Sequence, residues 1–264
     1  PIQYVPLREA DAMWSKKAWR RIDLREKINH PLHFPNKGLL TSKSSQGNWL
    51  SFWDVIYTMI DSSEVNPSPV LIYEDEFCTI PLFKEEVQKK LGYEMTRDSV
   101  DDDGNPIMQI KYYEYYRKTD FLAIDLKEVW FMDKQRSVLD VRIIAISPQL
   151  FIEDNTANIA ANIGSSINLG AGQKFFQTFG WLYFPEIRPF LANNDAFNNF
   201  NTSEMKSYDD IFWKRFFSSY VQREENIYNN REISNFILNG MDQVLESERI
   251  TNEIRKFEHD MWEF

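Results

Sequence analysis

The sequence predicts an α+β fold, with a central antiparallel sheet flanked by N-terminal helices and a C-terminal helical segment. Three observations predict it. Apolar residues recur at helical spacing towards both ends of the chain. In the middle they alternate, as a half-buried strand requires. Two of the alternating runs are joined by a short polar turn, DKQR, which makes an antiparallel hairpin. The expected layout is one domain over residues 1–264, helical over 1–95, strand-rich over 105–185 and helical again over 207–264.

The N-terminal region reads as three helices. From Leu7 to Asn29, a helical wheel puts Leu7, Ala10, Trp14, Ala18 and Ile28 on one face. Arg21, Arg25 and Asp11 fall on that same face, and Trp19 points off it. A charge on an apolar stripe is either paired or at an interface. The arginines therefore either snorkel past the core edge, with Trp19 packed on a neighbouring element, or mark a partner contact. Gly47 to Ser62 carries Leu50, Trp53, Ile56, Tyr57 and Ile60 at helical spacing. A short third helix spans Pro81 to Leu91, with Gly92 as its C-cap.

Strands follow. MQIKYY places Met108, Ile110 and Tyr112 on one face. FLAIDLKEVWFM places Leu122, Ile124, Leu126, Trp130 and Met132 on one face, interrupted by Glu128. VLDVRIIAI adds Leu139, Val141, Ile143 and Ala145, and FGWLYF is a short aromatic strand ended by Pro185. Thr156 to Gln173 is small, polar and glycine-dotted, and is expected to be a flexible loop. Helical spacing returns at Ser207, a suitable N-cap, with Asp209 and Asp210 in the first turn and Phe212, Phe216 and Tyr220 four apart. Further helices are expected over Arg231 to Asn239, stopped by Gly240, and along Ile250, Ile254, Phe257 and Met261. On the latter, Arg249–Glu253 and Lys256–Asp260 form i,i+4 pairs.

Composition narrows the function. The 264 residues suffice for one large domain or two small ones, and 43% hydrophobic content is that of a folded protein. A net charge of −10 argues against nonspecific binding to nucleic acid or anionic membrane, though not against a local basic patch. Cys78, the single cysteine, cannot form an internal disulfide and says nothing of the compartment. No apolar run reaches the ~18 residues of a membrane helix, so direct membrane insertion is not expected. The chain begins at Pro1 rather than methionine, and a processed or trimmed form is expected.

Enzyme motifs fail one by one. GSSINLGAGQK misses the phosphate-loop spacing, because Gly170 lies one residue late and no Lys-Ser/Thr follows. SVDDDGNP aligned on Gly104 leaves Ser99 and Ile110 where a calcium loop needs an acid and a bidentate glutamate. There is no G-x-S-x-G elbow, and Cys78 has no nearby histidine. His30 and His33, in HPLHFP, are two of only three histidines. Pro31 disfavours a helical His30, so the segment reads as the end of a long helix and a proline-fixed turn rather than a metal site. No catalytic residue, metal or cofactor is assigned.

Five ordered stretches resemble the GldN/PorN family. They are WSKKAWRRIDLREKINHPLHFP from Trp14, DKQRSVLDVRIIAISP from Asp133, WLYFPEIRP from Trp181, SYDDIFWKRFFSSYVQREENIY from Ser207 and LESERITNEIRKFEHDMWEF to Phe264. The resemblance implies an exported periplasmic component of the type IX secretion and gliding-motility machinery of Bacteroidetes. It implies assembly with an outer-membrane lipoprotein of the GldK/PorK type in a ring, hence self-association. It also implies contact with a GldM/PorM-type periplasmic subunit of the inner-membrane motor. The function expected is structural, with Trp19, Arg21 and Arg25 as the candidate partner contact, since Arg, Trp and Tyr are enriched in hot spots. The alternatives from other classes are a periplasmic carbohydrate-binding protein, using some of its eight tryptophans and twelve tyrosines as stacking platforms, and a hydrolase with paired carboxylates in a cleft.

Overall fold

The computed structural model describes residues 1–42, 49–61, 69–100, 106–153, 174–198 and 204–260. The segment from Thr156 to Gln173 and the DDDG turn lie outside them. The mixed architecture is as expected: a curled antiparallel sheet, with helices toward both ends of the chain.

The first long element corrects the sequence reading. Ala12–Asp23 is strand β1, not a helix, so the first part of the chain is not wholly helical. The period is hard to see because the strand is covered on both faces. Ala18, Trp19 and Arg20 are buried in succession, and no clean apolar/polar alternation survives. Its charges are stabilised across the sheet, not along a helix: Arg21 reaches Asp125, and Arg20 reaches Ser219 at 3.0 Å.

The N-terminal helices are shorter than read. HPLHFP holds the one-turn helix α1, His30–His33, with Pro31 in its first turn, so the two histidines do share a helical turn. Proline is accepted there because the first turn leaves its N–H groups unpaired. Helix α2 runs Phe52–Ile60 behind a capping box of Ser51 and Asp54. Helix α3 runs Lys84–Lys90. Gly92 does not cap it; it opens strand β2, Gly92–Val100, where a Cβ would lie 2.2 Å from the Glu114 carbonyl of strand β3, Pro106–Tyr115.

The sheet proper follows. Strands β4, Phe121–Asp133, and β5, Val138–Glu153, form the expected hairpin through DKQR. Strand β6 is Lys174–Thr178, and the aromatic run supplies only Leu182–Tyr183 as β7. Pro185 then sits in the first turn of a helix the sequence reading missed, α4, Phe184–Ala192. A small ladder of β8, Asp195–Ala196, and β9, Lys206–Ser207, leads to α5, Tyr208–Trp213, capped by Ser207 as predicted. Helix α5 stops early. Arg215 takes φ 55, Phe216 lies beyond the helix, and Tyr220 opens strand β10, Tyr220–Glu224. The helix expected over Arg231–Asn239 is only a 3-10 turn at Ile233–Asn235. Gly240 begins the last helix, α6, Gly240–Asp260, instead of stopping one; the Asn239 side chain accepts from the Met241 N–H. Strand order is β10-β1-β4-β5-β6, with β7 on β5.

The core is split. Helices α2, α4 and α5 pack on one end of the sheet with Ile22, Ile124, Leu126 and Ile146. At the other end, Val221, Ile233, Ile250 and Ile254 bring α6 against Trp14, Trp130 and Leu139. Glu128, wholly buried in β4, interrupts the apolar face as the sequence indicated. Arg215 grips its carboxylate at 2.8 and 3.2 Å, and Trp130 Nε1 donates to it at 3.2 Å. A second buried pair, Lys118 Nζ to Asp54 Oδ1 at 2.5 Å, ties the start of α2 to the turn before β4.

Removing one partner of a buried pair leaves an uncompensated charge. Arg215→Met should therefore lower unfolding free energy by about 3 kcal/mol, read from the denaturant midpoint. Adding Glu128→Gln in the same chain should recover part of that loss.

Candidate protein interface

The three predicted contact residues do not form one exposed surface. Trp19 is 2% exposed. Its ring packs with Ala145 and Trp181, under Tyr73 and Cys78. The Arg223 guanidinium lies 4.2 Å from its centroid, and Lys127 Nζ lies 5.7 Å away and 4.0 Å from the Phe77 ring. The loop from Tyr73 to Ile80 closes this shell: the Glu76 carboxylate pairs with Arg223, and the Glu76 carbonyl accepts from Lys127 at 3.0 Å. Asp75 holds the loop's shape by accepting from the backbone of Phe77, Thr79 and Ile80. The expectation of an exposed Trp19 is thus corrected. Arg21 makes a bidentate pair with Asp125 at 2.6 and 2.7 Å and lies 4.5 Å from the Phe176 ring. Arg25, paired with Asp23 at 2.6 Å, is the one of the three whose side chain stays largely in solvent.

The histidines are arranged for packing. Both rings meet Phe34 edge-on, at 5.2 Å for His30 and 4.9 Å for His33. His33 is buried, and its Nε2 lies 2.8 Å from the Asn36 side-chain amide. Burial, with the neighbouring His30, pushes His33 down to about 4, so it is neutral at pH 7. Among the described residues no three His, Cys, Asp or Glu side chains cluster as metal ligands would.

The surface that stands out is elsewhere, on α6. Its second half is an ordinary amphipathic helix, with Ile250 and Ile254 inward. Its first two turns are inverted. Gln243 and Ser247 face inward, where Ser247 Oγ accepts from the Val221 N–H at 2.7 Å and Gln243 Nε2 donates to the Ile237 carbonyl at 2.7 Å. Met241, Val244 and Leu245 face outward. Met241 lies nine residues, two and a half turns, from Ile250, so the two apolar stripes are on opposite sides. Leu238 and Met241 are 93% and 68% exposed. Just before them, Arg231 lies 4.9 Å from the Tyr228 ring and 4.5 Å from Phe236. Aromatics, Met and Arg are the types enriched at interface cores. The sequence carried this signal in the 3,4 spacing of Leu238, Met241 and Leu245. A helical wheel that starts at Ile250 hides it, because the opposite stripe begins there.

Residues 7–263 match the family model of gliding motility associated protein GldN. The chain belongs to the GldN family. As a member it is a component of the gliding-motility and type IX secretion machinery. No curated protein matches the chain. Among the described residues no helix is long and apolar enough to cross a membrane. The apolar outer face of α6 is an exposed patch of the kind that marks an interaction surface.

The depressed His33 has a pH consequence. Its folded value lies below the unfolded 6.5, so the unfolded chain takes up the proton first as pH falls. Stability should be full above pH 6.5 and decline toward pH 4, by roughly 2 kcal/mol between pH 7 and 5. His33→Gln should flatten that slope in denaturant titrations at several pH values.

Proposed function

We propose that the chain is a non-enzymatic structural subunit of this machinery. It acts in the periplasm, joins a GldK/PorK-type outer-membrane lipoprotein in a ring of repeated copies, and touches a GldM/PorM-type subunit of the inner-membrane motor. The observation that carries this reading is the inverted start of α6. A helix that turns polar groups to its own core and apolar ones to water is built for a second surface. Covering Leu238, Met241 and Leu245 would return roughly 1–2 kcal/mol each. Of the N-terminal trio, Arg25 retains the exposure a contact needs, whereas Trp19 and Arg21 act by holding the sheet that presents it.

The alternatives lack such support. None of the seven described tryptophans is fully exposed, so a sugar-stacking platform would have to rest mainly on exposed tyrosines such as Tyr112 and Tyr228. The best-buried carboxylates, Asp54, Glu128 and Asp209, are each taken by a cation.

Co-purification from membranes, with mass measurement of the complex, tests the proposal. Met241→Glu/Leu245→Glu should change stability by no more than about 0.5 kcal/mol, since both sites are exposed, yet release the chain from the lipoprotein complex. Arg25→Glu should weaken the complex less. Retention of the double variant at wild-type stoichiometry would remove α6 as the contact.

A further inference from the structure

A separate cluster lies under the N-terminal arm. Residues 1–8 form neither helix nor strand. Tyr4 sits 5.1 Å from the Trp213 ring, with the guanidinium of Arg188 at 4.7 Å and that of Arg142 at 5.1 Å from its centroid. Beside it is a cavity of about 160 Å³ lined by Tyr4, Asp140, Phe184, Phe212, Trp213 and Arg215, among others. That is about the size that accepts a single aromatic ring.

The arginines of this cluster are not equally paired. Arg188 has a bidentate carboxylate, Asp209, at 2.8 and 3.0 Å. Arg215 has Glu128. Asp140 is in contact with Arg136 at 3.4 Å. Arg142 is the exception: among the described residues its Nη2 has only the Val5 carbonyl, and its buried Nε has no acceptor at all. Its ring contacts are Tyr4 and Phe131, the latter 5.0 Å away. The Nε–Nη2 edge is the fork that grips a carboxylate with two parallel bonds. Here one prong holds a neutral carbonyl and the other is empty. A buried donor without an acceptor costs free energy that the right ligand would recover.

We propose that this cleft is a peptide-binding site for an acidic segment of another protein, closed in the free chain by its own N-terminal arm. Arg142 takes an Asp or Glu carboxylate of the partner on its Nε–Nη2 edge. An aromatic residue next to that carboxylate replaces Tyr4 against Arg188 and Trp213. The arm is suited to release: its exposed Ile2 and Val5 contribute little burial, and Tyr4 with one carbonyl bond is its main hold. This site is independent of α6 and of the role proposed for it.

The probe is a short blocked peptide, acetyl-Gly-Tyr-Glu-Gly-amide, titrated into the full chain by calorimetry, with its Gln counterpart as control. Binding in the ~mM range is expected, and about tenfold tighter binding to Tyr4→Ala, which removes the competitor. Arg142→Lys, which keeps the charge and loses the fork, should abolish the Glu-over-Gln preference while circular dichroism stays unchanged. Peptide binding should also speed tryptic cleavage after Arg8. Equal binding of the Glu and Gln peptides, unaltered preference in Arg142→Lys, or no saturable binding to Tyr4→Ala would each overturn the proposal.

Discussion

A wholly buried carboxylate in the middle of β4 sets the plan of this protein. Glu128 cannot stay charged inside a sheet without a cation, and Arg215 supplies it. For Arg215 to arrive there, α5 must stop at Trp213 and the chain must turn through a left-handed residue. That turn aims the following segment at the edge of the sheet, where β10 pairs with β1. The same ion pair stands between the two hydrophobic clusters, one under α2, α4 and α5 and the other under α6. The register between β4 and β5 shifts at Lys127/Glu128, beside the buried carboxylate, and such a shift bends the strand locally.

The sheet was legible in the sequence where apolar residues recur at every second position, as Leu122, Ile124 and Leu126 do in β4, whereas Lys16–Lys17 and Arg20–Arg21 break that period in β1. The β4–β5 hairpin, its polar turn and the Ser207 cap were each read from local chemistry. Strand β1 was not, because its neighbours cover both faces and its arginines are satisfied by Asp125 and Ser219, residues distant in sequence. Spacing of four at Phe212, Phe216 and Tyr220 misled for a related reason: Arg215 must break the helix to reach Glu128, a demand no local pattern announces. Pro185 was taken as a stop when it was a start, since proline suits both the residue after a strand and the first turn of a helix. At the candidate site, residue type does not report exposure. Trp19 has the composition of a hot spot and the environment of a core residue.

The inverted opening of α6 runs against the rule that apolar side chains turn to the core. A chain folding alone gains by turning Met241 and Leu245 inward, and here they are turned out while Ser247 caps the Val221 N–H within. The hydrogen bonds to Gln243 and Ser247 hold the helix in that rotation. The result is an apolar face that folding of the chain does not use.

The loop that closes over Trp19 also carries the only thiol in the chain. Burial, together with the charge of Asp75, pushes Cys78 up to about 11, so it is held as the protonated and poorly nucleophilic form. It sits at φ 56 against the same shell that Glu76 locks through Arg223. Any event that lifts this loop would hydrate the thiol and quicken its alkylation. The protein thereby contains, without engineering, a single-site chemical clock for movement on the outer face of its sheet.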